Sequence, residues 1–141
     1  MSEPTLILTD APDPEDAKAI REGLHGFNEE RAGYVDSRGL AVVVRDPATG
    51  ATLGGITGRT SFGLLFIDVV HLDARVRGSG IGRRMLAMAE EEARRRGCRR
   101  AVLYTISFQA PGFYARSGWR AFGEIPCDPP GTSRVFMTKD L

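Results

Sequence analysis

The chain predicts an α/β sandwich built on a mixed sheet. Three observations carry that reading. Short β-rich runs alternate with helical patterns in the order βαββ(β)αβαββ. One run, Leu64-Leu65-Phe66-Ile67-Asp68-Val69-Val70-His71-Leu72, is almost wholly apolar, as in a strand covered on both faces. The 42% hydrophobic content over 141 residues fills one core and too little for two, so residues 1–141 are expected to form a single domain.

The elements follow in order. Leu6-Ile7-Leu8-Thr9 reads as a short first strand. Asp13 is an N-cap and Pro14 a first helical residue, and Ala17, Ile20, Leu24 and Phe27 recur at helical spacing, so a helix is expected over about Pro14 to Glu30. Gly23 and Gly26 each weaken its second half by about 1 kcal/mol relative to Ala, predicting an irregular end. Leu40 to Val44 is a strand, Asp46-Pro47-Ala48-Thr49-Gly50 a hairpin turn, and about Ala51 to Thr57 the return strand, in which Gly54-Gly55 signals a bulge or a close backbone contact. After the apolar strand and a glycine-rich loop, Ile81, Met85, Leu86, Met88, Ala89 and Ala93 form the apolar stripe of a strong helix. Glu90, Glu91, Glu92 and Arg94 fall outside it. Arg94 to Arg96 read as a solvated helix end and Gly97 as its C′ residue. Ala101 to Ile106 is a strand, Gln109 to Arg116 a short helix closed by Ser117-Gly118, and Trp119 to Ile125 and Arg134 to Thr138 are the last two strands.

Several classes are excluded. With 19 Lys+Arg against 18 Asp+Glu, the net charge of +1 gives no reason to expect nucleic acid or a membrane surface as partner. No apolar run approaches the roughly 20 residues of a membrane span, and the start lacks a secretion signal. Two distant cysteines, Cys98 and Cys127, fit a reducing cytoplasm and no metal site; His25 and His71 make no zinc-ligand spacing.

Chemistry concentrates in Arg75-Val76-Arg77-Gly78-Ser79-Gly80-Ile81-Gly82-Arg83. Glycines let backbone approach a ligand closely, successive N–H groups at a helix start cradle phosphate oxygens, and the helix dipole favours negative charge there. Arg75, Arg77, Arg83 and Arg84 add mobile positive charge. The dinucleotide fingerprint fails because Arg83 stands at its third glycine, and no Gly-Lys-Ser/Thr follows Gly78 for a P-loop. A plain tight turn into a helix is the bland alternative.

What remains resembles the acetyl-CoA loop of the GNAT N-acetyltransferase superfamily, Gln/Arg-x-x-Gly-x-Gly/Ala, met here by Arg75, Gly78 and Gly80. Ala110-Pro111-Gly112-Phe113-Tyr114-Ala115-Arg116-Ser117-Gly118-Trp119 is similar to the family's Ala-x-x-Phe-Tyr segment, in the expected order and separation. The resemblance covers roughly Leu6 to Leu141. It implies the GNAT fold: a mixed, mostly antiparallel, splayed sheet of about six to seven strands flanked by helices. It implies acetyl-CoA as cosubstrate, with no metal, and a small-molecule or peptide amine as acceptor.

Roles follow from the resemblance, position by position. Amides from Arg77 through Gly78, Ser79, Gly80, Ile81 and Gly82 to Arg83 would hold the pyrophosphate. The backbone of Val70 and Leu72 would pair with pantetheine, and an amide near Val70 would face the thioester oxygen. Tyr114 stands where the family's thiolate-stabilising Tyr stands, and Ser107 replaces its pantetheine-binding Asn. Phe27, Asn28, Tyr34 and Phe62 fall where the family shapes its acceptor pocket.

Three assignments stay open on the sequence. Asp68, acidic within an apolar strand, is either a base whose pKa burial raises or a structural carboxylate. His71 is either a second base or a structural His. Tyr114 is either the proton donor or a core aromatic beside Phe113 and Trp119. A non-catalytic acyl-CoA-binding module and a nucleotide-binding protein remain as rival functions, and an exposed late strand could pair across a homodimer.

Overall fold

The computed structural model describes residues 2–141, which divide into two compact units, 2–35 and 36–141. The first holds α1 (Pro14–Ala32). Asp13 caps it, its carboxylate accepting from the Glu15 amide at 2.9 Å, and Pro14 opens it. Left-handed Gly33 closes it, donating to the Glu29 carbonyl at 2.7 Å. The helix runs unbroken through Gly23 and Gly26, so the expected irregular end is corrected: two propensity penalties are less than a capped, continuous ladder supplies. No residue of α1 is buried. The expected strand Leu6–Thr9 is also corrected. Leu6, Ile7 and Leu8 are 94%, 83% and 101% exposed and belong to no ladder. Local β-propensity makes no strand without a neighbour to take its backbone hydrogen bonds.

The second unit is a six-stranded sheet of β1 (Arg38–Arg45), β2 (Thr52–Ser61), β3 (Leu64–Leu72), β4 (Arg100–Ile106), β5 (Arg120–Cys127) and β6 (Thr132–Asp140), in spatial order β1-β2-β3-β4-β6-β5. Every neighbouring pair is antiparallel except β3 and β4. α2 (Ile81–Arg95) packs on β1, β2 and β3, and α3 (Pro111–Arg116) lies beside β5. Among the described residues no helix is long and apolar enough to cross a membrane.

The turns obey their residues. Gly50 (φ +76°) closes the Asp46 turn, its amide donating to the Asp46 carbonyl at 2.7 Å. Phe62 (φ +47°) and Gly63 (φ +80°) make the two-residue turn between β2 and β3, in the left-handed conformation that a tight hairpin demands. Gly54 and Gly55 mark close approaches: a Cβ there would sit 2.3 Å from the His71 carbonyl oxygen and 2.2 Å from that of Val42.

The nearly all-apolar β3 is not buried on both faces; Val69 is 54% exposed. Pairing skips from Thr57↔Val69 to Gly58↔Ile67, leaving Asp68 as a bulge residue. One inserted residue reverses which side chains face inward. Leu65 and Ile67 point to the core before the bulge, Val70 and Leu72 after it. The unbroken apolar run records that switch.

Leu65, Leu86, Ile56 and Ala89 are at most 2% exposed and centre the core. Met88, assigned above to the stripe of α2, is 60% exposed, while Glu90, assigned outside it, is 4% exposed. Glu90 is drawn in by Lys139 of β6, whose Nζ lies 2.6 Å from its carboxylate. Arg96, read as solvated, instead ties α2 to the sheet, its Nη1 donating to the Gly39 carbonyl and to Thr60 Oγ1, each at 3.0 Å. Gly97 ends α2 as expected: it is left-handed, and Cys98 N donates back to the Ala93 carbonyl at 2.9 Å.

Candidate active site

β3 and β4 share only the pairs Leu64↔Arg100, Leu65↔Ala101 and Phe66↔Val102. Beyond these the strands part, with Ile67–Leu72 on one side and Leu103–Ile106 on the other. The β3 edge facing this opening can be read from one bond. Asp73 N donates to the Leu53 carbonyl at 2.7 Å, so Asp73 and His71 turn their backbone groups towards β2. Strand alternation then turns those of Val70 and Leu72 into the opening. The Leu72 carbonyl is taken by Arg77 Nε at 2.7 Å, leaving that residue's N–H.

The chain then enters a one-turn 3-10 segment, Ala74–Val76, capped by Asp73, whose carboxylate accepts from the Arg75 amide at 2.9 Å. The same carboxylate takes Arg75 Nε and Nη2, each at 3.0 Å. These side-chain bonds, then the backbone one, hold the Asp73 carboxyl at about 2, below its usual 3.8. Arg75 and Arg77 are therefore tethered, a correction to the mobile charge expected of them; Arg83 and Arg84 stay exposed on the first turn of α2. Asp73 was missed in the sequence, although an Asp two residues before an Arg is an Asx-cap pattern.

Gly78 (φ +78°) and Gly80 (φ +83°) bend the loop into α2. Val76, Arg77 and Arg84 spend their amides on Asp73, Ala74 and Gly80 carbonyls. Among the described residues, the amides of Gly78, Ser79, Gly80, Ile81, Gly82 and Arg83 have no acceptor within the chain. The Ser79 hydroxyl donates to the Val76 carbonyl, which holds the loop closed. Gly80 caps α2 without a side chain, and no acidic residue occupies the first turn, so the positive end of the helix is unneutralised. A cradle of free donors at a helix start fits a diphosphate.

α3 abuts this cradle: a Cβ on Gly82 would lie 3.4 Å from the Phe113 ring. The next residue, Tyr114, is 6% exposed, its ring edge-on to Phe113 and Trp119 at 5.1 and 6.1 Å. Among the described residues its hydroxyl has no partner, and no side-chain oxygen or nitrogen is both buried and unpartnered, so that hydroxyl opens on solvent. Burial of the ring raises the phenol above its usual 10 and keeps it protonated at neutral pH.

Residues 7–119 match the acetyltransferase (GNAT) family. The chain belongs to the GNAT acetyltransferase family. This GNAT protein is 37% identical over 134 residues to an acetyltransferase of Agrobacterium fabrum, covering 95% of this chain and 97% of the relative. It is 41% identical over 93 residues to the blasticidin-S acetyltransferase of Streptomyces morookaense, covering 65% of this chain and 68% of that one. A solved structure from Agrobacterium tumefaciens superposes with a TM-score of 0.86 at 35% identity, over 97% of this chain and 99% of the other. Membership sets aside the nucleotide-binding rival.

The other predicted residues of the GNAT chain fall as follows. Asp68 is exposed at the bulge, which corrects its expected burial: the inserted residue turns it out of the inward-facing set. His71 is exposed. Ser107 joins β4 to β6, its hydroxyl oxygen accepting from Ser133 N at 3.0 Å while its own O–H remains a donor. Phe62 is 39% exposed at the β2–β3 turn. In the first unit Phe27 is 53% exposed beneath the Arg31 guanidinium at 5.1 Å, Asn28 is half-buried and Tyr34 is 52% exposed.

Proposed function

We propose that residues 1–141 act as one acetyltransferase domain moving an acetyl group from acetyl-CoA to a primary amine, by direct attack in a ternary complex. The observation that carries this is the run of unbonded amides from Gly78 to Arg83 beside the parted strands β3 and β4. Those amides take diphosphate oxygens, with Arg83 and Arg84 adding charge. The N–H groups of Val70 and Leu72 and the Val70 carbonyl pair with the pantetheine arm, as an added strand would. The Ser107 hydroxyl is a further donor to it. When bound, the thioester supplies an activated acetyl carbon. The Val70 amide faces the oxygen on which charge develops. Asp68, exposed at the bulge, accepts the amine proton directly or through water, with His71 the second choice.

Tyr114 hydrogen-bonds the departing sulfur. A phenol near 10 and a thiol near 8.5 make full proton transfer uphill by about 2 kcal/mol, and burial widens that gap. A strong hydrogen bond with late transfer is the consequence. Phe62, exposed at the β2–β3 turn of the second unit, is the acceptor-pocket assignment there. The acceptor is a small molecule or a peptide amine, and blasticidin S belongs in the first panel because a 41% identical relative is named for it.

The test is a thermal shift with acetyl-CoA, then an amine panel read by free-thiol release. At a hundredfold excess over Kd, binding adds about 2.7 kcal/mol and raises Tm by several degrees. Tyr114→Phe should cut kcat while leaving the Kd for coenzyme A within about twofold. No shift overturns the proposal; a shift without turnover on any amine leaves the non-catalytic acyl-CoA module instead.

A further inference from the structure

α3 has six residues, well short of the roughly 12–15 at which an isolated helix begins to hold in water, and its N-cap, Ala110, makes no side-chain bond. The helix is fixed at its other end. The Tyr114 carbonyl accepts from Ser117 N at 2.9 Å and from Trp119 N at 3.0 Å. Both donors are themselves gripped. Lys139 Nζ donates to the Ser117 carbonyl at 2.8 Å, and Trp119 Nε1 donates to Glu90 Oε2 at 3.4 Å. Glu90 and Lys139 join at 2.6 Å, their side chains 5% and 22% exposed, with Arg94 at the edge, 3.9 Å from Glu90. Between the gripped residues Gly118 (φ +92°) lets the Lys139 stem pass, its Cε 3.4 Å from where a Cβ would stand.

We propose that the Glu90–Lys139 ion pair is a positioning device for Tyr114, clasping from α2 and β6 the two residues whose amides hold the Tyr114 backbone. This rests on the role given to Tyr114 above. Replacing a buried ion pair by uncharged groups of similar size is often neutral for stability, so what this pair supplies is placement. The buried clasp is recruited across Glu90 on α2, Lys139 on β6 and the Ser117–Trp119 turn, and nothing in its geometry touches the diphosphate cradle.

The test uses full-length protein labelled with 3-fluorotyrosine and coenzyme A as the probe. The chain has 3 tyrosines, and Tyr114→Phe assigns the Tyr114 resonance. In Lys139→Met, and in the uncharged pair Glu90→Gln with Lys139→Met, that resonance should move towards the position of half-exposed Tyr104 and lose its response to coenzyme A, while the Kd for coenzyme A changes less than about twofold. On any amine turned over, kcat should fall about tenfold with the acetyl-CoA KM steady, fall no further in a Tyr114→Phe background, and recover in part in Lys139→Arg. An unmoved resonance in a folded variant overturns the proposal. So does an equal further loss on top of Tyr114→Phe, and so does unfolding of both variants, which would make the pair a requirement of the whole fold. Intact turnover in Tyr114→Phe alone would sink the chemistry assigned to Tyr114 and leave the resonance result to decide the clasp.

Discussion

Gly80→Ala isolates the backbone geometry of the phosphate loop. A Cβ at Gly80 meets nothing within 4 Å, so the substitution introduces no clash; its whole effect is the left-handed φ of +83°. An L-residue there costs about 1–2 kcal/mol. The loop escapes that strain by leaving the left-handed region, which turns the neighbouring amides away. If the competent loop loses 1–2 kcal/mol against such states, its population falls about 5–30-fold and the apparent Kd for coenzyme A rises by the same factor. Gly97→Ala is the matched control: its φ is +86°, its Cβ also meets nothing within 4 Å, and it lies at the other end of α2, roughly 22 Å away along the axis. Calorimetry should show weaker coenzyme A binding for Gly80→Ala and unchanged binding for Gly97→Ala, with Tm lowered by a few degrees in the control. Equal affinities in the two variants would refute the assignment of the free amides to the diphosphate.

Three further outcomes are expected. Asp68→Asn should lower kcat/KM at least about tenfold on any amine turned over, and a value identical to wild type returns Asp68 to a bulge residue. Leu86→Ala, at a site 2% exposed, should cost about 2–5 kcal/mol, a Tm fall of roughly 6–15 °C by calorimetry; a smaller fall would show that the core collapses around the gap. Asp73 ionises lower in the folded chain, at about 2, than in the unfolded, at 3.8. Its clasp on Arg75 is therefore fully present above pH 3.8 and is lost as pH falls towards 2. The stability difference between wild type and Asp73→Asn, followed by acid unfolding, should vanish over that interval and stay level between pH 5 and 8.

Local signals survived into the structure and non-local ones did not. The alternating glycines at 78 and 80, the Asp46–Gly50 turn, the Asp13 cap and the Gly97 stop each depend on one residue's own backbone preference, and each is where the sequence puts it. Glu90 was misplaced because its partner, Lys139, is 49 positions away and no helical periodicity can anticipate it. Asp68 was misjudged for a related reason: a bulge is a property of two strands in register, and it leaves the apolar run on one of them unbroken. Leu6–Thr9 shows the converse, a good strand sequence without a neighbour. In the site, the cradle was legible and the Arg75 tether was not, because charge alone does not tell a cation held by Asp73 from one left free.

The brief junction between β3 and β4 has an implication for how the second unit comes together. Each side of it is a three-stranded block, β1-β2-β3 and β4-β6-β5, and the first is a meander of consecutive hairpins that closes without waiting for the rest of the chain. The seam has few ladder bonds of its own, so the lowest-energy sub-global openings should run along it. Deuterium should enter the amide of Val102, which strand alternation turns towards β3, sooner than those in the middle of β2.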